Sequence, residues 1–144
     1  MPQPKVVKQF HFHAAHSVPK VEDCRHVHGH TYHLEVEIQG RPQSEGPEEG
    51  MVANARRIKS EVNEAVVDPL DHAFIAEGSE RIVGPLRRHD YTVIEIGTKT
   101  TAENLSHWIL QQLDEHTSLP VTRVRLWETD TMWAEAEIEE GAGG

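Results

Sequence analysis

The stretch HTYHLEVEIQG, residues 30–40, constrains the fold more than any other part of the chain. Tyr32, Leu34, Val36 and Ile38 alternate with His33, Glu35, Glu37 and Gln39. Neighbouring side chains of a strand point to opposite faces, so this segment has one apolar face and one polar face. That pattern suits a half-buried strand of an antiparallel sheet. KVVKQFHFHAAH (5–16) alternates in part and reads as a second strand. VTRVRLWE (121–128) and MWAEAEIEE (132–140) read as two more, joined by the short TDT.

Between these strand pairs lie two helical patterns. NARRIKSEVNEAVV (54–67) sets Ile58, Val62, Ala65 and Val66 at helical spacing, with Asn54 as N-cap and Pro69 close to the expected end. TTAENLSHWILQQLDEH (100–116) carries an apolar stripe of Leu105, Trp108, Ile109 and Leu113. Thr100 or Thr101 caps it, and Glu103 completes a capping box if Thr100 is the cap. RPQSEGPEEG (41–50) is a turn or loop, and YTVIEIG (91–97) allows a short extra strand. Strand, strand, helix, helix, strand, strand predicts an α+β fold on an antiparallel sheet. With 144 residues, no internal repeat and no linker, residues 1–144 read as one domain, its GAGG tail (141–144) disordered.

Composition narrows the function. Lys plus Arg is 14 against 24 Asp plus Glu, a formal net charge of -10. A nucleic-acid binder wants a basic face, and a polybasic membrane patch wants the same, so neither partner is expected. One cysteine cannot form an internal disulfide, and a free thiol fits a reducing cytosol. The chain opens on no signal-like segment and has no apolar run near ~18 residues, so a soluble cytoplasmic protein is expected.

The chemistry concentrates in CRHVHGHTYH, residues 24–33. His28 and His30 are two apart and project to one face of a strand, with Gly29 leaving room between them. His16 ends the preceding strand and comes alongside if the two strands pair. Three converging imidazoles suit zinc, at about 2.0–2.1 Å per nitrogen, and leave the fourth position open as in catalytic sites. Cys24, four residues before His28, has three readings: a fourth ligand, an inert buried thiol, or a thiolate nucleophile or base beside the metal. His11, His13, His89, His107 and His116 read as scattered surface residues, and His33 shares the exposed parity of Glu35. In LDH (70–72), Asp71 could orient His72 and keep it basic, though the dipeptide alone is a weak signal. In LWET (126–129), Glu128 could grip a guanidine-like edge through two parallel hydrogen bonds, or be an ordinary surface glutamate.

Taken in order, F-x-A-A-H (12–16), C-x-x-x-H-G-H (24–30), L-D-H (70–72), T-x-E-N (101–104) and E-T (128–129) resemble the 6-pyruvoyl-tetrahydropterin synthase family, including its 6-carboxy-tetrahydropterin synthases of the queuosine pathway. The resemblance runs from about Phe12 to Thr129. It implies the tunnelling fold: a four-stranded antiparallel sheet with two helices on one face. Subunits there join their sheets into a barrel, typically a trimer, and two trimers stack into a homohexamer with sites between subunits. It implies zinc on His16, His28 and His30, a catalytic Cys24, and an Asp71–His72 dyad supplied by a neighbouring subunit. Glu128 becomes the anchor of a pterin substrate, with Thr101 and Glu103 in a region lining its pocket. The implied reaction is a zinc-dependent lyase step on dihydroneopterin triphosphate. The three-residue gap between Cys24 and His28 favours the 6-carboxy product, a 7-deazaguanine precursor, with loss of triphosphate and acetaldehyde. The alternatives are the 6-pyruvoyl product, another pterin conversion on the same fold, and a non-catalytic zinc or pterin binder. Two departures stand out: GMVANA (50–55) has Asn54 and Ala55 where the family often has an acid and an aromatic, and the stretch 77–100 is longer than in many relatives.

Overall fold

A computed structural model of the chain describes residues 2–19 and 25–139. Its elements run β1 (Lys5–His16), β2 (His28–Gln39), α1 (Ala55–Val62), α2 (Asp68–Leu70), β3 (Phe74–Ala76), α3 (Val83–Arg88), β4 (Val93–Glu95), α4 (Ala102–His116), β5 (Val121–Thr129) and β6 (Met132–Glu137). The four expected strands form an antiparallel run β1-β2-β5-β6, and β1 pairs with β2 over its whole length, from Lys5 opposite Gln39 to His16 opposite His28. The sheet is larger than the expected four strands. β3 and β4 add to the free side of β1 in parallel, giving the order β4-β3-β1-β2-β5-β6. This corrects both the strand count and the purely antiparallel character. The added strands come from the long segment before α4, which folds as a small β-α-β crossover through α3 and covers an edge that would otherwise stay unpaired.

The apolar parity of the strands sets the core. Phe12, Tyr32, Leu34, Ile38, Val124 and Leu126 are buried together on one face of the sheet. α1 lays Ile58 and Val62 on that face, and α4 lays Leu105, Ile109 and Leu113 there, so both long helices cover one side as expected. Asn54 caps α1 by accepting from the Arg57 N–H at 2.9 Å. The helix does not stop before Pro69. A π-helical turn (Asn63–Val67) lets the Asp68 N–H reach back to the Asn63 carbonyl, and a last turn carries the chain through Pro69 to Asp71. Widening the turn relieves the clash a proline ring makes with the carbonyl four residues earlier. Among the described residues no helix is long and apolar enough to cross a membrane.

Opposite the core, the outer face carries His11, His13, Thr31, His33, Glu35 and Glu37 by parity. Glu37 is buried even there. Its carboxylate accepts from the Thr122 hydroxyl and from Arg123 Nε, each at 2.9 Å. Arg125 stacks over Trp127 and Trp133 further along β5 and β6.

Candidate metal centre

The three expected imidazoles do meet. His16 and His28 are directly opposite across the β1–β2 ladder, and His30 is two residues along the same face. Their ring centroids lie 4.6, 4.8 and 5.1 Å apart. Glu128, at the end of β5, enters the same group. Its Oε1 lies 2.9 Å from His30 Nε2 and 3.4 Å from His16 Nε2. One ligand atom from each of His16, His28, His30 and Glu128 falls within 4.8 Å of all the others.

The rings are held from behind. His16 Nδ1 lies 2.8 Å from the Thr100 carbonyl, and His28 Nδ1 lies 2.7 Å from the His26 carbonyl. A carbonyl only accepts, so each Nδ1 carries the proton and each Nε2 of the neutral ring presents a lone pair. This is how protein ligands are usually oriented for a metal. The front of the group then has a shortage of cations. Among the described residues His16 Nε2 and His30 Nε2 are buried without a hydrogen-bond partner, although a carboxylate oxygen is close to both. A lone pair facing a carboxylate is repulsive unless a proton or a metal ion stands between them. The three imidazole donors therefore fit zinc, with the Glu128 carboxylate beside them rather than counted among the ligands.

A proton can fill the same gap as a metal ion: on His16 Nε2 it would hydrogen-bond to Glu128 and draw that carboxyl below the usual carboxylate range, burial opposing this and charge on His16, His30 and His28 adding to it. Burial pushes the His30 imidazole below its ordinary value, with Glu128 pulling the other way and His16 and His28 reinforcing burial. A neutral imidazole is the form that binds metal. Under the group sits Tyr32, fully buried and stacked on Phe12 at 5.0 Å, its hydroxyl without a partner among the described residues. Burial, and then the charge on Glu128, raise its phenol above the ordinary value.

Asp71 and His72 also meet, but elsewhere. Asp71 Oδ2 lies 3.0 Å from His72 Nδ1, and Asp71 Oδ1 accepts from the His13 N–H at 2.9 Å. The His13 N–H first, and His72 beside it, hold the Asp71 carboxyl below the usual range. His72 takes a left-handed backbone, φ 63°, and donates its own N–H to the His13 carbonyl. For a residue other than glycine that conformation costs energy and is concentrated at functional positions. His72 is 77% exposed, and its ring packs 5.9 Å from that of His13. His13 and His16 are an odd number of residues apart on one strand, so the dyad stands on the outer face and the three-histidine group on the core face. Gly29 points to the dyad's side too. A side chain there would meet only the Ala14 carbonyl at 3.5 Å, an ordinary contact, so Gly29 does not make room between His28 and His30. Instead it helps line a cleft of about 420 Å³ with His13, Ala15, Thr31 and His72, which His30 also borders.

The remaining expected residues are less connected. Thr101, not Thr100, caps α4, accepting from the Asn104 N–H at 3.3 Å. Thr100 is used differently, through its carbonyl on His16. Glu103 opens onto a groove between α4 and β6 lined also by His107, Gln111, Asp114 and Glu137. Cys24 lies outside the described residues. Sequence reasoning missed Thr100, whose contribution is a backbone oxygen, and Tyr32, whose polar tip is hidden in an apolar alternation.

The chain matches the family model described as 6-pyruvoyl tetrahydropterin synthase over residues 5–139. It is 35% identical over 136 residues to the 6-carboxy-5,6,7,8-tetrahydropterin synthase of Haemophilus influenzae, covering 91% of this chain and 96% of that one. It is 34% identical over 107 residues to the 6-pyruvoyl tetrahydrobiopterin synthase of Dictyostelium discoideum, covering 74% of this chain and 67% of that one. The fold superposes on that of Caenorhabditis elegans 6-pyruvoyl tetrahydropterin synthase with a TM-score of 0.72 at 21% identity, over 96% of this chain and 98% of the other.

Proposed function

This chain belongs to the 6-pyruvoyl tetrahydropterin synthase family, and from that premise we propose that it is a zinc-dependent lyase converting dihydroneopterin triphosphate to 6-carboxy-tetrahydropterin, with release of triphosphate and acetaldehyde. The observation that carries this reading is the pair of buried Nε2 atoms of His16 and His30, without a hydrogen-bond partner among the described residues and facing a carboxylate across a gap fit for a cation. The carboxy product is favoured by the three-residue gap of CRHVHGH (24–30) and by the Haemophilus relative.

His16, His28 and His30 hold the zinc. Bound there, zinc supplies Lewis acidity to the hydroxyl groups of the substrate side chain. Glu128 anchors the pterin by accepting from its 2-amino and ring N–H groups. Thr101 and Glu103 contribute to the pterin pocket. Cys24 takes and returns the proton on the side chain, and His72, oriented by Asp71, serves as its acid–base partner. The reduction of the ring is internal to the substrate, so no redox cofactor is required. As the family resemblance implies, one chain's dyad serves another chain's zinc. The working enzyme is accordingly a ring of subunits with joined sheets, a hexamer built from two trimers.

Elemental analysis of the purified protein is expected to give about one zinc per chain. Incubation with dihydroneopterin triphosphate, followed by mass spectrometry, is expected to yield the carboxy product. A pyruvoyl product would move the enzyme to the other branch, and full turnover by metal-free protein would end the reading. Cys24→Ala is expected to keep zinc and lose turnover; loss of zinc would instead make the thiol a ligand.

A further inference from the structure

We propose that the outer face of β1 and β2 carries a second, weaker site for a divalent late first-row transition metal ion, held by His11, His13 and His33. The placement repeats the construction of the first centre. There, His28 and His30 are two apart on β2 and His16 is the register partner of His28 on β1. Here, His11 and His13 are two apart on β1 and His33 is the register partner of His11 on β2. Both groups therefore combine a same-face pair with one residue directly across the ladder, and only the face and the strand roles are exchanged.

Strand geometry makes the group capable of chelation. Directly opposite residues place their Cβ atoms about 4.5–5.5 Å apart, and same-face neighbours along a strand stand roughly 6.5–7 Å apart. Two imidazoles at such spacing can both reach one ion at about 2.0–2.1 Å per nitrogen. The His11 ring centroid lies 6.0 Å from that of His13 and 6.3 Å from that of His33, against at most 5.1 Å in the core-face group. Closing that excess takes only side-chain rotation. All three residues are exposed, and exposed rings change rotamer readily. Among the described residues, the ring hydrogen bond to be given up is that of His13 Nδ1 with the Thr31 hydroxyl at 3.0 Å, together with its packing on the His72 ring. Glu35 shares this face two residues from His33, and a set led by imidazole donors favours the later metals of the series, with copper(II) bound most tightly.

The structure also supplies a reporter. Trp127 is the register partner of His33 on β5, and Trp133 packs 5.4 Å from Trp127. A paramagnetic ion on His33 quenches this indole pair. The test titrates the zinc-loaded full chain with Cu²⁺, following tryptophan fluorescence, the electron paramagnetic resonance spectrum and zinc retention together. The expected result is quenching that saturates near one added copper per chain, nitrogen hyperfine structure from more than one imidazole, and zinc retained. His11→Gln and His33→Gln, tested separately, should each weaken the copper affinity by about ten-fold or more, as loss of a donor requires. His107→Gln on α4 should leave it unchanged, and Cys24 is common to every variant. The proposal is overturned if quenching does not saturate, if His11→Gln and His33→Gln bind copper like the parent, or if zinc leaves in step with copper uptake.

Discussion

His16, His28 and His30 on the core face, and His11, His13 and His33 on the outer face, are products of one register between two strands. Yet only the first set converges. Its rings lie within 5.1 Å of one another, centroid to centroid, and it gathers a carboxylate. What differs is what stands behind and around the rings. Two rings of the core set are fixed by carbonyl acceptors, those of Thr100 and His26, and His16 is 1% exposed. On the outer face, His13 leans on the Thr31 hydroxyl and the His72 ring, and all three residues are exposed. An exposed side chain must be ordered when it binds, and that entropy is subtracted from the affinity. Alternation along a strand thus decides which side chains can meet; the second layer decides whether they already have.

The sharpest way to break this comparison is to remove one ring from each set. His28→Ala should take zinc from about one per chain to near none, and turnover with it. His33→Ala should leave zinc content intact, because it touches only the outer set. Zinc loss in both variants, measured by elemental analysis on folded protein, would mean that the two faces do not act separately.

The same contrast explains what could be read from the sequence. The alternation of residues 30–40 and the odd separation of His13 from His16 put each histidine on its face without any coordinates. Side-chain parity, however, carries no trace of a carbonyl. Thr100 reads as a possible helix cap, whereas its oxygen fixes His16 and Thr101 does the capping. β3 is just Phe-Ile-Ala, buried throughout and too short to show a period. α3, VGPLRR, contains both glycine and proline, so its pattern speaks against the helix that tertiary packing imposes. The run through Pro69 depends on a π-helical turn that no side chain announces. Glu128 was legible as a strand-end carboxylate, but not as a neighbour of two imidazoles, because β5 joins β2 from far along the chain. His11 and His13 read as scattered surface residues until the register showed His33 opposite.

A subtler test acts on the layer behind the metal ligands. The Thr100 hydroxyl lies 3.2 Å from His16 Nδ1 and donates to the Ser17 carbonyl at 3.2 Å. Thr100→Val keeps the shape and the carbonyl but deletes this brace. Zinc affinity should fall by about ten-fold, the low end for loss of an outer-layer partner. Competition with a chelator measures it. An unchanged affinity would assign the orientation of His16 to the Thr100 carbonyl alone, and would shrink the difference between the two sets to burial.

The smallest effect is expected at Tyr32, where the core set meets the apolar core. Its hydroxyl is buried and has no partner among the described residues, while its ring stacks on Phe12 with an interplanar angle of 16°. An unpaired buried hydroxyl costs free energy that a phenylalanine would not. Tyr32→Phe should therefore stabilise the metal-free protein by about 1 kcal/mol, which for a chain of this length is a rise of about 2–4 °C in Tm. The informative comparison is the same pair of proteins loaded with zinc. If the hydroxyl finds a partner within the loaded centre, the gain disappears or changes sign, and Tyr32 belongs to the second layer that distinguishes the core set. If thermal scans give the same gain with and without zinc, Tyr32 is a packing residue, and the advantage of the core face rests on its two carbonyls and Glu128.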